Sequence, residues 1–320
     1  MKLIKRTYFC ILVSLLTACN IYDNYDCDVP KLGVSLRMNL NEGKLPAMTH
    51  RLPDRVLSRG NALAARYNVE VYNKDTEQRV YKENFYKSLR YPEAFDVNLP
   101  LAEGNYCALI WMDYTEGVGE PCLYYSTQDL TNIQLNHEVK GDSIKEAFTA
   151  RYSFRVEQAD TIQLHQVTLQ RACCFFELLT CDYDQYVAEG NNPPAYIEYT
   201  FYNALCHSFD VNSSRPISYV KKQTMKSFSK VPEGSNCILG YDWVIINPSC
   251  KLAMSFAIYD ADGALINTID RVDIPVERNR KTIIKGSFLT QKEEKPDKPD
   301  GGGGIIIDDK FDGEIEIILP

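Results

Sequence analysis

Residues 65–72 read ARYNVEVY, with an apolar side chain at every second position and polar side chains between them. A similar segment at 79–85 follows the polar hexapeptide NKDTEQ at 73–78. Alternation with a period of two is typical of a β-strand that buries one face, and a short polar connection between two such segments favours a hairpin. The sequence therefore predicts an antiparallel sheet around these residues.

Segments of the same kind recur along the whole chain. It contains 21 tyrosines and 13 phenylalanines, and aromatic side chains suit pleated, half-buried surfaces better than helices. Short strands without long helices between them favour antiparallel sandwiches. We therefore expect an all-β chain, with further strands at 34–40, 95–99, 105–114, 124–135, 145–148, 171–180, 195–202, 238–247, 254–259, 264–269, 276–289 and 305–320. The turn Asp260-Ala261-Asp262-Gly263 predicts a hairpin of the strands at 254–259 and 264–269.

The length of the chain indicates two domains, because 320 residues are too many for one typical core. We expect an N-terminal sandwich over residues 32–158 and a C-terminal sandwich over residues 159–320, whose first strand lies at 161–169. The run QKEEKPDKPD, followed by four glycines, has little apolar surface to bury. It therefore predicts a mobile loop at 291–304.

The N-terminus has the order of a bacterial lipoprotein signal. A basic start precedes an apolar run at 8–16, which is too short for a permanent membrane span. The run ends in LTAC at 16–19. This tetrapeptide resembles a lipobox, in which signal peptidase II cuts before the cysteine and a diacylglyceryl group is attached to it. We therefore expect a signal peptide at 1–18 and a lipid on Cys19; the alternative is an ordinary secretory signal with a chance cysteine.

The residues behind Cys19 have no apolar periodicity, and we expect residues 19–31 to form a lipidated tether. Asp23, Asp26 and Asp28 lie within it. Acidic residues in this position resemble the surface-export signal of lipoproteins from certain Gram-negative anaerobes, although a solvated linker explains them as well. The resemblance implies a protein anchored by lipid in the outer membrane and facing the cell exterior.

The charge of the chain limits its partners. The formal net charge is −8, and removal of residues 1–18, which carry three basic and no acidic side chains, makes it more negative still. A negative protein is a poor match for nucleic acid or for an anionic lipid surface. We therefore expect no nucleic-acid partner, and a membrane contact made through the lipid on Cys19.

The eleven cysteines form no convincing metal-binding pattern. Cys10 leaves with the signal peptide, Cys19 takes the lipid, and the other nine are irregularly spaced. The cysteines near Cys173 and the pair Cys206-His207 lack the C-x-x-C knuckles of a zinc site. Free thiols that pack as small apolar groups explain them better. We expect no metal and no cofactor, and one or two disulfides remain open because the compartment permits them.

Motifs for catalysis are also missing from the sequence. The pair Cys206-His207 is the only adjacent thiol and imidazole, and neighbouring residues of a strand point to opposite faces. The glycines at 301–304 are not followed by Lys-Ser or Lys-Thr, so they do not form a phosphate loop. We therefore expect that the protein is not an enzyme.

Several sequence blocks occur here in a characteristic order. They are RYNVEVY at 66–72, FDVNLPLAEGNYCALIWMDY at 95–114, YYSTQDLTNIQL at 124–135, KEAF at 145–148, LGYDWVIIN at 239–247, VERNRKTIIKGSFLT at 276–290 and FDG at 311–313. Together they resemble a family of uncharacterised outer-membrane lipoproteins of Gram-negative anaerobes, related to fimbrillin-type pilus subunits and fimbrial anchor proteins. The chain departs from that family at Arg171-Ala172, where Arg-Pro is usual. The resemblance implies two tandem transthyretin-like Greek-key β-sandwich domains.

The resemblance favours a structural or anchoring component of a fimbria-like adhesive assembly, with other fimbrillin-like lipoproteins as partners. Two alternatives remain: a surface glycan-binding lipoprotein that forms no filament, and a hydrolase. Related pilins are cut in a basic loop, and here the loop at 41–60 offers Arg55 and Arg59 as candidate processing sites. Related pilins also donate a C-terminal strand, whereas we expect the strand at 314–319 to complete its own sandwich through a hairpin with 305–307.

Overall fold

The computed structural model of the protein describes residues 33–41, 64–88, 95–137, 145–158, 161–230, 232, 234–290, 306–308 and 314–319. In these ranges the chain is all-β, as predicted from its alternating segments, and β-sheets pack against one another as in a sandwich. The transthyretin-like Greek-key connectivity stays a prediction. Among the described residues no helix is long and apolar enough to cross a membrane.

The first nine strands belong to the N-terminal part of the chain. They are β1 (Gly33–Asn41), β2 (Ala64–Asn73), β3 (Arg79–Ser88), β4 (Phe95–Pro100), β5 (Gly104–Thr115), β6 (Tyr125–Ser126), β7 (Ile133–Leu135), β8 (Phe148–Val156) and β9 (Gln163–Arg171).

The remaining elements follow from residue 173 onward. They are β10 (Cys173–Thr180), helix α1 (Tyr183–Ala188), β11 (Pro194–Phe201), β12 (Leu205–Asp210), β13 (Arg215–Val220), β14 (Gln223–Phe228), β15 (Cys237–Ile245), β16 (Ser249–Asp260), β17 (Leu265–Glu277), β18 (Lys281–Gly286), β19 (Ile306–Asp308) and β20 (Glu314–Ile318).

A seven-stranded sheet with the order β3-β2-β5-β8-β9-β1-β4 forms the first body. The predicted hairpin of β2 and β3 is confirmed, since the two strands pair antiparallel along their length. Tyr67 on β2 stacks on Phe95 of β4, with 4.9 Å between the ring centroids. Because β2 and β4 lie near opposite ends of the sheet, this contact shows that the sheet curls around its own core.

Strand β9 lies in this first sheet. It pairs with β1 in parallel and with β8 antiparallel. Our expectation that the segment at 161–169 begins the second set of strands was therefore wrong, because hydrogen bonding between distant segments decided its place. The division of the chain at residues 158 and 159 into two folding units stays a prediction.

A second core lies between two further sheets, with the orders β15-β10-β18-β20-β19 and β14-β11-β16-β17. Phe176 on β10 contacts the rings of Tyr199, Phe201 and Phe256 from the opposite sheet. The predicted hairpin of β16 and β17 is confirmed. Its turn contains Gly263 at φ +82°, a backbone conformation that glycine adopts without strain.

A small sheet with the order β13-β12-β7-β6 joins the two bodies. In it β12, which follows β11 in the chain, pairs antiparallel with β7. Phe209 of β12 lies against Trp111 of β5, at 5.5 Å between ring centroids. The outer side of the first sheet is thus covered by a hairpin from the second half of the chain.

The end of the chain completes the second body. Strands β19 and β20 form the antiparallel hairpin that we predicted, and β20 also pairs in parallel with β18. The backbone N–H of Leu319 donates a 2.8 Å hydrogen bond to the carbonyl oxygen of Lys285. The predicted mobile loop at 291–304 lies outside the described residues.

Candidate functional site

The site residues that we predict from the sequence lie outside the part of the chain that the structure describes. Cys19, the expected lipid attachment point, precedes the first described residue, and Arg55 and Arg59 lie between β1 and β2. Lipidation and proteolytic processing at these positions therefore stay predictions.

Strand β1 is the first described element after the expected tether, and it is an inner strand. It pairs with β9 from Val34 to Asn41 and with β4 from Gly33 to Met38. Leu36 has no exposed surface. Midway along the strand, Arg37 makes an exposed salt bridge of 2.8 Å with Asp96. Both hydrogen-bonding edges of β1 are therefore occupied by other parts of the same chain.

The polar face of β2 is buried. Arg66 donates two hydrogen bonds to the carboxylate of Asp113, at 2.9 and 2.6 Å. Asn68 accepts a hydrogen bond of 2.8 Å from the hydroxyl of Thr127. Burial raises the pKa of Asp113, against the opposing effect of the Arg66 guanidinium. Alternation in ARYNVEVY predicts a solvated polar face, and the loop around Thr127 covers it instead.

A buried ionic cluster, which we call the junction, joins the two bodies. Nε of Arg171 lies 2.7 Å from Oε1 of Glu146, and both side chains are fully buried. The Arg171 guanidinium also donates to Asn279 and lies over the rings of Phe148 and Trp243, 5.0 and 5.4 Å from their centroids. One cation therefore contacts residues from both halves of the chain.

A second ion pair extends the junction. Nζ of Lys145 lies 2.7 Å from the carboxylate of Asp242, which also accepts a 2.6 Å hydrogen bond from the hydroxyl of Tyr199. Beside this pair is a cavity of about 30 Å³, the size of one water molecule. The imidazole of His137 lines it and donates a 2.7 Å hydrogen bond to the carbonyl oxygen of Cys206. Burial lowers the pKa of His137.

The chemistry of the described thiols is that of packed apolar groups. Cys206 is buried and His207 is exposed, so the two side chains point apart as the strand pattern predicts. Burial raises the pKa of Cys173 and of Cys206 to about 12, which keeps these thiols protonated near neutral pH. The eight described cysteines are free thiols. Within the described residues no group of three or more His, Cys, Asp or Glu side chains is placed to hold a metal ion.

A sequence profile of a family of unknown function (DUF6562) matches residues 28–320, nearly the whole chain. The chain belongs to this family. No curated protein sequence matches it.

Several solved structures have a shape similar to that of this DUF6562 chain. One is a proposed adhesin from Bacteroides ovatus, with 12% identity, a TM-score of 0.46 and coverage of 78% of this chain and 79% of that chain. Another is a proposed polysaccharide-binding protein (DUF1812) from Bacteroides thetaiotaomicron, with 10% identity, a TM-score of 0.47 and coverage of 74% and 80%. The fimbrial anchor protein Mfa2 from Porphyromonas gingivalis has 13% identity, a TM-score of 0.40 and coverage of 74% and 82%. Similarity at this level does not transfer a function.

In this DUF6562 chain, three of the quoted sequence blocks meet at the junction. KEAF supplies Lys145 and Glu146, LGYDWVIIN supplies Asp242 and Trp243, and VERNRK supplies Asn279. The contact between these blocks leaves no signal in the sequence, because they are far apart in the chain.

The Arg-Ala departure also lies at the junction. The N–H of Ala172 donates a 2.8 Å hydrogen bond to the carbonyl oxygen of Ala147. Proline has no backbone N–H and could not make this bond. Alanine at this position therefore adds a hydrogen bond between the residue after β9 and the residue before β8.

Proposed function

We propose that the protein is a lipid-anchored surface protein that acts as a structural or anchoring component of a fimbria-like adhesive assembly. The observation that carries this proposal is the setting of β1. The strand that follows the expected tether is paired along both of its edges, with β9 and with β4.

The pairing of β1 suits a strand that bears load. A protein held by a lipid on Cys19 and pulled by an assembly would be loaded at the start of β1. A pull along the strand shears the β1–β9 and β1–β4 ladders together, because their hydrogen bonds lie across the strand direction or slant to it. An edge strand would be held by one such ladder alone.

Interlocking of the two bodies supports the same role. Three contacts hold the bodies together. They are the pairing of β12 with β7, the packing of Phe209 on Trp111, and the contacts of Arg171 with both halves of the chain. Force that enters at β1 would therefore pass into the second body through packed residues, which is what an anchor or a structural subunit requires.

The position of β20 favours an anchor over a polymerising subunit. Related pilins donate a C-terminal strand to a neighbour, as the sequence resemblance implies. Here β20 is paired on both sides by β18 and β19 of its own chain. A strand that is already paired on both edges is not free to be donated unless the hairpin is first released.

Lipid attachment is tested by comparing wild type with Cys19→Ala and with a matched control, Cys27→Ala, which changes another cysteine of the tether. We expect wild type and Cys27→Ala in the membrane fraction, and Cys19→Ala outside it. The intact mass of the two membrane-bound proteins should correspond to acylation at residue 19. A mature chain that begins elsewhere, or membrane-bound Cys19→Ala, would contradict the anchor.

Assembly is tested separately by chemical cross-linking on intact cells. We expect wild type to form adducts with other surface lipoproteins, and Cys19→Ala to lose them. If wild type is acylated and surface-exposed and yet gives only the uncross-linked monomer, the lipid anchor stands and the assembly role is wrong.

A further inference from the structure

The outer face of the β14-β11-β16-β17 sheet is open in the described part of the chain, and the strand register arranges its side chains in rows. One row crosses all four strands and consists of Phe228, Tyr196, Tyr259 and Leu265. Phe228 is 49% exposed and Leu265 is 56% exposed. The rings of Tyr196 and Tyr259 stack with 5.0 Å between their centroids and an angle of 15°. Nζ of Lys226 lies 3.2 Å from the centroid of the Tyr196 ring, so the open apolar surface of the row is at its two ends, Phe228 and Leu265. We call this the aromatic row.

A second row on the same face carries hydroxyl groups. Thr224, Thr200 and Ser255 lie opposite one another on β14, β11 and β16. The hydroxyls of Thr200 and Thr224 are 2.8 Å apart, and the hydroxyl of Ser255 lies 3.0 Å from that of Tyr202. We call this the hydroxyl row. Each of its groups can both donate and accept a hydrogen bond.

The hydroxyl row lines an open depression of about 680 Å³. Sites for small ligands usually occupy about 300–1,000 Å³, with a few polar groups that fix the orientation of the ligand. The depression therefore has room for a short chain of sugar rings laid along the sheet.

Charges on this face largely compensate one another. Glu198 and Lys226 occupy opposite positions on β11 and β14. Asp270 and Arg271 are neighbours in β17, at the far side of the depression. Lys222 and Arg271 both lie over the ring of Tyr202, so the face carries three basic and two acidic side chains. A surface with mixed signs and a small net charge has no strong field and does not favour a highly charged ligand. The complementary ligand is uncharged and rich in hydroxyl groups.

We propose that this face binds a neutral oligosaccharide. One sugar ring of the chain packs its apolar side on the aromatic row at Phe228. The hydroxyl row lies four residues away along the strands, about 13 Å, so the sugar rings farther along the chain exchange hydrogen bonds with it. A second copy of the chain would have to bury about 800 Å² on each partner, and the four apolar side chains of the aromatic row supply only a small part of such an area. This inference goes beyond the proposed structural role and does not depend on a filament.

The test uses the mature chain and four soluble probes in isothermal titration calorimetry: cellotetraose, maltotetraose, mannotetraose and, as the charged comparator, tetragalacturonate. We expect at least one neutral tetrasaccharide to bind with a dissociation constant of about 10 μM to 1 mM. Ser255→Lys places a long charged side chain in the depression and should weaken binding about tenfold or more. Thr168→Lys, on an exposed position of β9 in the first sheet, is the matched control and should bind like wild type.

Four results would overturn the proposal. They are absence of binding by all three neutral probes at about 10 mM, tighter binding of tetragalacturonate, wild-type affinity in folded Ser255→Lys, and a dimer in sedimentation experiments that Ser255→Lys dissolves. Each variant is checked by its melting temperature. If Ser255→Lys unfolds, Thr224→Lys at the exposed end of the hydroxyl row replaces it, and wild-type affinity in that variant also counts against the proposal.

Discussion

Nε of Arg171 lies 2.7 Å from Oε1 of Glu146, and neither side chain has any exposed surface. Glu146 precedes β8 and Arg171 is the last residue of β9. The pair therefore lies at the edge of the first body, where Arg171 contacts Asn279 and Trp243 of the second body. Loss of one member of a buried ion pair leaves an uncompensated charge in a medium of low dielectric constant. The junction is therefore the position at which a single substitution should affect both bodies.

We predict that Glu146→Gln destabilises the protein strongly, because it leaves the buried Arg171 cation without its carboxylate. The free energy of unfolding in urea should fall by about 3–5 kcal/mol. The control is Glu157→Gln, which removes the partner of Arg155 in a pair with side chains 63% and 68% exposed. That change should have an effect of less than about 1 kcal/mol. Equal effects of the two substitutions would show that the junction carries no special stability.

We predict that His137 makes stability depend on pH. Burial lowers its pKa in the folded protein, with further lowering by Lys145 and His207 and opposite effects from the Cys206 carbonyl and Asp242. As the pH falls, His137 is therefore protonated at a higher pH in the unfolded chain, at about pH 6.5, than in the folded protein. The stabilisation by neutral His137 is fully present above that pH and is lost as the pH falls through the folded-state pKa.

The measurement is the urea unfolding free energy of wild type and His137→Gln between about pH 7.5 and 5. Wild type should lose more stability on acidification than His137→Gln. The exposed neighbour His207→Gln removes one of the two charges that lower the pKa of His137. This variant should lose slightly less stability on acidification than wild type, and more than His137→Gln. Parallel profiles for wild type and His137→Gln would contradict the prediction.

We predict that removal of residues 314–320 destabilises the isolated monomer. This deletion takes away β20 and with it both the parallel ladder to β18 and the hairpin with β19. The melting temperature of the purified protein should fall clearly, whereas deletion of Pro320 alone should leave it unchanged. An unchanged melt, combined with loss of a co-purifying partner, would show that β20 is a donor strand after all.

We predict that the segment between β1 and β2 is cut by trypsin at Arg51, Arg55 or Arg59. The segment is rich in basic, glycine and proline residues, a composition typical of an exposed loop. Limited digestion followed by mass spectrometry measures the cleavage sites. Resistance of these arginines, with cleavage at 291–300, would contradict the placement of the loop. Chain recovered uncut from cells would favour an anchor over a processed subunit.

Local sequence patterns were sufficient to predict the strands and the short hairpins. Alternation in ARYNVEVY placed β2, and the polar turn after it placed β3. Asp260-Ala261-Asp262-Gly263 placed the β16–β17 turn, in which Gly263 has a positive φ. Such features can be read from neighbouring residues because strand period and turn chemistry involve only a few adjacent positions.

The candidate sites were only partly accessible from the sequence. The lipid site at Cys19 is predicted from a linear motif. The aromatic row and the hydroxyl row became visible only when register aligned residues of β14, β11, β16 and β17. Each strand taken singly has an ordinary mixture of polar and aromatic residues, so no linear signal marks this face.

The sequence by itself determined that the chain is all-β, where most of its strands lie, and that the two faces of many strands differ in polarity. Only the tertiary structure decided what covers those faces. The Arg66 and Asn68 side of β2 has the polarity of a solvated surface, and it is buried. Strand β9 pairs with β1 in the first sheet. The physical reason is that periodicity records the contrast between two sides of a strand, whereas burial depends on distant segments that pack against them, and those contacts leave no local pattern.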